Sequence, residues 1–101
     1  MPVEKRSQLA RKLAQREFPV IVEILPPKGS DPTREVEGAQ YLVAQRVDAV
    51  NIPDGTGATA RMSALTLAAL LLQRVGVEVV LHYGSRDRNV LTIQSDFLGA
   101  Y

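Results

Sequence analysis

The chain has 101 residues, with 12 lysines and arginines against 11 acidic residues, and 46% of its residues are hydrophobic. This apolar content suits a packed core and argues against disorder, while a net charge of +1 gives no reason to expect nucleic acid or an anionic membrane as a partner. The absence of cysteine and the single histidine exclude disulfides, a cysteine nucleophile and a histidine-rich metal site built by this chain alone.

The first predicted element is a short helix within residues 1–17. Leu9 and Leu13 lie four residues apart among charged residues, which is the spacing of a thin apolar stripe on a helix. The segment is basic enough for a transit peptide, but Glu4 and Glu17 argue against one. No apolar run is long enough for a membrane span, and the start of the chain has no apolar signal-peptide core, so we expect a cytoplasmic protein.

A first strand-and-helix unit follows. Residues 19–25 form a β-branched apolar run that predicts a buried strand, and Pro26 and Pro27 stop it. Asp31 and Pro32 then predict the start of a helix, because the carboxylate can accept free N–H groups and proline needs no N–H there. The predicted apolar face of this helix consists of Val36, Ala39 and Val43.

Residues 47–52 predict a second strand, and Pro53 to Gly57 predict the loop after it. Within that loop, Gly55-Thr56-Gly57 matches neither a P-loop nor a dinucleotide fingerprint, so a plain turn is favoured over a phosphate site. Thr59 is expected to cap a second helix, and Gly76 to end it in a left-handed turn. The predicted apolar face consists of Met62, Leu65, Ala69 and Leu72.

Residues 77–83 predict a third buried strand, and a polar loop from Gly84 to Arg88 follows it. Arg86, Asp87 and Arg88 could contact an anionic ligand, although ion pairing among themselves at a helix start explains them equally well. A final helix is predicted from the spacing of Val90, Ile93, Phe97 and Leu98.

This order, a helix followed by three βα units, predicts an α/β fold with a parallel sheet. Two architectures fit, an open doubly wound sheet and a (β/α)8 TIM barrel. A full barrel takes about 250 residues, so residues 18–101 would supply its first three βα units and leave a strand edge unpaired. In the barrel interpretation the chain is an incomplete, truncated (β/α)8 barrel preceded by an N-terminal helix, and the open sheet stays the alternative at this point.

Polar residues occur near the carboxyl ends of all three predicted strands, where functional groups of parallel βα folds gather. Glu23, Asn51 and His82 lie at similar distances from the carboxyl ends of their predicted strands. Because side chains alternate along a strand, all three would point to the same opening at the carboxyl end of the fold. A charge inside the first strand's apolar run costs several kcal/mol unless paired or protonated, which favours a general acid over a lysine-paired carboxylate for Glu23. Taken alone, the His82 position is equally consistent with a hydrogen-bonded core histidine and with a catalytic residue. The Asn51 position is consistent with a buried amide that hydrogen-bonds the backbone of a neighbouring loop.

Three ordered stretches resemble the methylenetetrahydrofolate reductase family, including the form fused to a homocysteine methyltransferase, over residues 20–101. The first is Val22-Glu23-Ile24-Leu25-Pro26-Pro27-Lys28. The second joins Val47-Asp48-Ala49-Val50-Asn51-Ile52 to Ala60-Arg61-Met62-Ser63-Ala64-Leu65. The third is Arg86-Asp87-Arg88-Asn89 with Leu91 and Gln94-Ser95-Asp96-Phe97-Leu98-Gly99-Ala100.

The resemblance implies a (β/α)8 barrel that binds FAD at the carboxyl ends of its strands. It implies that NAD(P)H reduces the flavin, which reduces 5,10-methylenetetrahydrofolate to 5-methyltetrahydrofolate in one-carbon and methionine metabolism. Glu23 matches the family's acidic residue, which helps to protonate the folate nitrogen so that the ring opens to an iminium. His82 matches a histidine beside the flavin, and Pro53 and Asp54 fall in the loop after the second strand, which borders the flavin in the family. With Asn51, which comes from the strand-end alignment, these residues are the predicted cofactor contacts.

The chain departs from the family pattern after His82, where Tyr83-Gly84-Ser85 stands in place of a frequent Leu-Thr-Cys. Later strands that would hold most of the flavin, folate and nicotinamide are absent, so we expect these residues alone to be inactive. One alternative is a non-catalytic partial barrel that completes itself as a homo-oligomer or with a partner chain. Another is a different barrel enzyme that uses Glu23 on another one-carbon or carbonyl substrate without a flavin.

Overall fold

A computed structural model describes residues 7–54, 60–84 and 88–100 of the chain. Four helices alternate with three strands in this part of the chain. In chain order they are α1 (Gln8–Ala14), β1 (Ile21–Glu23), α2 (Thr33–Ala44), β2 (Ala49–Ile52), α3 (Ala64–Arg74), β3 (Val79–Leu81) and α4 (Val90–Ala100). This order confirms the predicted helix followed by three βα units.

The three strands form one parallel sheet in the order β1-β2-β3. Backbone pairing continues past the ends of the strands, because Ile24 N donates to Asn51 O at 2.9 Å and His82 N donates to Ile52 O at 3.0 Å. The α/β class and the parallel sheet are thus confirmed. β2 lies in the middle, so it is paired along both edges.

The hydrophobic core lies between the sheet and helices α2 and α3. Val50 and Ile52 point from the central strand into this core, where they are fully buried. The helices contribute Ala39, Ala64, Leu67, Ala68 and Leu71, and Val77 completes the cluster. Apolar surface removed from water contributes roughly 25 cal/mol per Å², so this cluster holds the helices on one face of the sheet.

Helix α3 begins later and turns a different face inward than its sequence predicts. The expected cap, Thr59, lies outside the described residues, and the helix begins at Ala64 after a non-helical stretch, 60–63. Leu67 and Leu71 are fully buried, whereas Leu72, which was expected in the core, is 54% exposed. Apolar residues surround almost the whole helix, so their spacing cannot select the buried face.

Other predicted features of the helices have mixed outcomes. Gly76 adopts a φ of 77° just after α3, which confirms the left-handed turn. Asp31 accepts the Thr33 N–H at 3.0 Å, as expected at the start of α2. The hydrogen bond from the Thr33 hydroxyl, followed by this backbone bond, lowers the pKa of Asp31. The helical register of α4 is confirmed, but Phe97 and Leu98 are exposed.

Helix α1 binds to the amino-terminal end of the sheet. Lys12 Nζ lies 2.8 Å from Asp48 Oδ1, and the buried Asp48 also accepts the backbone N–H of Val20 at 2.8 Å. The hydrogen bond from Lys12, followed by that from Val20, lowers the pKa of Asp48. Leu9 N donates to the Glu78 carboxylate at 3.0 Å, so α1 is bonded to the segments that lead into β2 and β3, and Asp48 joins the segment before β1 to them. No helix within 7–54, 60–84 and 88–100 is long and apolar enough to cross a membrane.

Candidate functional site

The polar residues predicted at the sheet edge lie on one face of neighbouring strands. Glu23 and Asn51 are Cα partners in the register of β1 and β2, so their equal height is confirmed. Asn51 is in turn the partner of Val80, which places His82 two residues further toward the carboxyl end. The expected equal height is therefore wrong for His82, because the register of β3 sets it one alternation beyond the other two.

The face that carries these residues is open. Ile21 and Leu25, which alternate with Glu23 on β1 and its extension, are 44% and 42% exposed. Glu23 and His82 are exposed as well, so the expected burial of the Glu23 carboxylate is wrong in this chain. Helices α2 and α3 pack on the opposite face, so the Glu23 side chain stays exposed to solvent.

Asn51 is the half-buried member of this group. Its amide oxygen Oδ1 is buried and has no hydrogen-bond partner within the described part of the chain. An unsatisfied buried acceptor costs about 1–3 kcal/mol, which a folded protein rarely leaves uncompensated. A ligand donor can reach this oxygen only if the Asn51 side chain turns toward the open face, because the oxygen has almost no accessible surface. With that rotation Asn51 becomes a candidate for a ligand contact.

Asp54 and Arg88 join the loops that follow β2 and β3. Arg88 Nη1 lies 2.7 Å from Asp54 Oδ2, and Nη2 lies 3.2 Å from Oδ1, so the pair is bidentate. Asp54 Oδ2 also accepts the Gly84 N–H at 2.8 Å, and Arg88 donates to the Gly84 carbonyl. The hydrogen bond with Asp54 is the main cause that raises the pKa of Arg88.

Tyr83 and Asp96 complete this cluster of side chains. The guanidinium of Arg88 lies 4.3 Å from the centre of the Tyr83 ring, a cation–π geometry, and its Nε is 3.9 Å from Asp96 Oδ2. The Tyr83 hydroxyl donates to Asp96, and the Tyr83 ring lies 5.1 Å from that of Phe97. Burial, followed by the bond to Asp96, raises the pKa of Tyr83.

The loop after β1 is tied to the start of α3. Arg61 Nη1 donates to the Pro26 carbonyl at 2.8 Å, and Met62 N donates to the Pro27 carbonyl at 2.8 Å. A cavity of about 290 Å³ opens beside these contacts. Its lining consists of Pro26, Pro53, Asp54, Ala60, Arg61, Met62, Ser63 and Arg88. Pro53 and Asp54, both predicted to border the flavin, therefore face one cavity.

Sequence reasoning located Glu23, Asn51 and His82 but missed the contacts of Arg88 and Arg61. Arg88 was expected to pair with Asp87 or a ligand, and its partners instead come from 34 residues earlier and from α4. Such a partner has no local signal in the sequence. The predicted turn at Gly55-Thr56-Gly57 and the residues Ser85, Arg86 and Asp87 lie outside the described part. The described residues contain no group of three or more acidic, His or Cys side chains that could hold a metal ion.

Comparison with known proteins identifies the family. The model of one protein family, described as methylenetetrahydrofolate reductase, matches residues 8–101. No curated protein and no solved structure matches the chain. The matched range contains every element of the fold and every candidate site residue, and the family is one of folate-related reductases that generally depend on a flavin. The chain belongs to the methylenetetrahydrofolate reductase family.

Proposed function

We propose that this chain supplies the proton donor and part of the flavin rim of a methylenetetrahydrofolate reductase. The reaction is the FAD-dependent reduction of 5,10-methylenetetrahydrofolate to 5-methyltetrahydrofolate with NAD(P)H as the reductant. In this proposal the three βα units are part of a (β/α)8 barrel, and its other strands come from outside these 101 residues.

The observation that carries the proposal is the pairing of Glu23 with Asn51 at the carboxyl end of the sheet. Parallel βα folds bind ligands at this end, and the side chains of both residues lie on the face that the helices leave open. Membership of the family indicates a folate-related reductase. Together they support a site in which a carboxyl group stands beside an amide that lacks a partner.

The residues on the open face suit a flavin. FAD supplies the hydride-transfer chemistry of this family when it is bound. Ile21 and Leu25 offer exposed apolar surface on which a flat conjugated ring can lie. The unpaired Asn51 Oδ1 offers an acceptor for an N–H at the edge of such a ring. His82, exposed two residues beyond the paired position, would border the ring on the third strand.

Glu23 is proposed as the group that delivers a proton to the folate nitrogen, so that the ring bearing the methylene carbon opens. A carboxyl group is a useful acid near neutral pH only when its charged form is poorly solvated. Glu23 is exposed in this chain, so bound flavin and folate, and further strands of a barrel, would have to exclude water from it. Proton donation by Glu23 is therefore expected only in the assembled, ligand-filled site.

Flavin titration of the purified chain tests this proposal. We expect quenching of FAD fluorescence on binding, and we expect Asn51→Leu and His82→Ala to weaken that binding. Glu37→Gln is a matched control, because Glu37 is exposed on α2, which packs on the opposite face of the sheet. Absence of FAD binding by the chain, both alone and together with any chain that completes the sheet, would overturn the flavin assignment.

A second candidate function is favoured by the exposed apolar side chains of Ile21 and Leu25. In this alternative the chain is a non-catalytic partial barrel, which covers that face by self-association or with a partner chain. Within the described residues, β1 and β3 are the outer strands of the sheet, and each has one edge with no strand beside it. Sedimentation discriminates the two: a defined oligomer that binds no flavin favours the alternative, and a flavin-binding species favours the reductase.

A further inference from the structure

The two loops that follow β2 and β3 are held together by one ion pair. Asp54 receives two hydrogen bonds from the Arg88 guanidinium, at 2.7 and 3.2 Å, and one from Gly84 N at 2.8 Å. Both of its carboxylate oxygens are therefore bonded to groups of the protein itself. A ligand that approached Asp54 would have to compete with these donors.

Arg88 is suited to this position by its shape. Its planar fork engages both oxygens of Asp54 while its face lies 4.3 Å from the centre of the Tyr83 ring. A lysine ammonium cannot reproduce the two-pronged contact with both oxygens of Asp54, because it is a compact point charge on a flexible stem. The Arg88 side chain is 23% exposed and that of Asp54 is 11% exposed, so the pair is largely shielded from water.

The contacts of Arg88 converge on the segment that carries His82. Arg88 donates to the Gly84 carbonyl, two residues after His82, and covers the ring of Tyr83 between them. On its other side the guanidinium binds Asp54, three residues after Asn51. Within the segment 82–84, the backbone hydrogen bond from His82 N to Ile52 O pairs only His82 with the neighbouring strand.

We propose that Arg88 is a positioning residue, which with Asp54 latches the loop after β3 to the loop after β2 and so holds His82 in place relative to Asn51. This assigns Asp54 to the support of the candidate site rather than to direct contact with a flavin. The inference deepens the proposed function. Only the measurement of FAD binding rests on that function, and the measurement on the flavin-free protein does not. We refer to the contacts of Arg88 with Asp54, Gly84 and Tyr83 as the loop latch.

The single histidine of the chain makes the latch measurable without any ligand. The imidazole C–H resonances in a proton NMR spectrum of the flavin-free protein come from His82 alone. We expect Arg88→Met to shift or broaden these resonances and Arg88→Lys to restore them only in part. In the flavin-bound protein we expect Arg88→Met to weaken FAD binding roughly tenfold, the scale of a lost supporting contact.

Lys12→Met is the matched control, because it removes an ion pair of similar length, 2.8 Å to Asp48, at the opposite end of the sheet. It should lower the thermal midpoint while the His82 resonances stay in place. If Arg88→Met does not fold, Asp54→Asn keeps the shape of the partner, removes its charge, and should move the same resonances.

The loop latch is wrong if folded Arg88→Met or Asp54→Asn leaves the His82 resonances unchanged, or if Lys12→Met moves them as far. A wild-type protein that binds no FAD would instead contradict the proposed function. The flavin-free spectra would still decide the role of Arg88, so the two failures are distinguishable.

Discussion

Glu23 on β1 lies directly opposite Asn51 on β2, at the carboxyl end of a parallel sheet and on the face that no described helix covers. The two residues differ in what surrounds them. Glu23 is exposed, while the Asn51 amide oxygen is buried and has no hydrogen-bond partner among the described residues. The Glu23 carboxyl group is therefore in contact with solvent, and the Asn51 oxygen is an acceptor that no described donor satisfies.

Replacing Asn51 by leucine should stabilise the protein and weaken its ligand binding at the same time. The leucine has a similar shape and no unsatisfied oxygen, so we expect the free energy of unfolding to rise by about 1 kcal/mol. The lost acceptor should weaken FAD binding. Urea unfolding and flavin titration measure the two effects.

Ser7→Ala is the control for that experiment. Ser7 Oγ accepts the Ala10 N–H at 2.9 Å at the start of α1, at the opposite end of the sheet, so its removal should lower stability by about 1 kcal/mol without changing flavin affinity. A destabilised Asn51→Leu variant would show that the Asn51 amide is bonded in solution and would remove the argument for a ligand there.

The buried face of α3 gives a second prediction. Leu67→Ala should lower the free energy of unfolding by about 2–5 kcal/mol, because Leu67 is fully buried between the sheet and α2. Leu72→Ala, on the 54% exposed side of the same helix, should lower it by less than about 1 kcal/mol. Equal losses in denaturant unfolding would indicate a different face toward the sheet.

Helix α3 also shows which features of the fold could be predicted from the sequence. Strand and helix order followed from apolar runs broken by Pro26, Pro27 and Gly76, since these breakers act locally. The face of α3 could not be predicted, because leucines and alanines surround it and only packing against the sheet and α2 selects Leu67 and Leu71.

In the candidate site, too, some features could be predicted from the sequence and others could not. Alternation along the strands was enough to set Glu23, Asn51 and His82 on one face, but the extra offset of His82 depends on the register of β3. The pairing of Arg88 with Asp54 joins residues 34 positions apart. No periodicity encodes such a contact, so it required the folded structure.

The ion pair between Lys12 and Asp48 predicts how stability depends on pH. The pKa of Asp48 is lowered in the folded state from an ordinary value of 3.8, chiefly by the hydrogen bond from Lys12. Its stabilising contribution is therefore present above that ordinary value and is lost as the pH falls through the folded pKa. Lys12→Met should reduce stability most at neutral pH, and the difference from wild type should shrink toward zero in acid.

Urea unfolding of wild type and Lys12→Met at several pH values from neutral to strongly acidic checks this prediction. Lys28→Met serves as the control, since Lys28 is exposed, and it should leave the acid part of the curve unchanged. A constant difference between wild type and Lys12→Met at every pH would contradict the account of Asp48.

The role of Glu23 is tested most directly by measuring the two half-reactions of the FAD-loaded protein, with any chain that completes its sheet, in wild type and Glu23→Gln. The account predicts that flavin reduction by NAD(P)H persists in Glu23→Gln, whereas reduction of methylenetetrahydrofolate falls by roughly 10²–10⁴-fold, the contribution of a positioned acid. Glu37→Gln, on the exposed side of α2, should behave as wild type. Folate reduction by Glu23→Gln at the wild-type rate would contradict the claim that Glu23 is the proton donor.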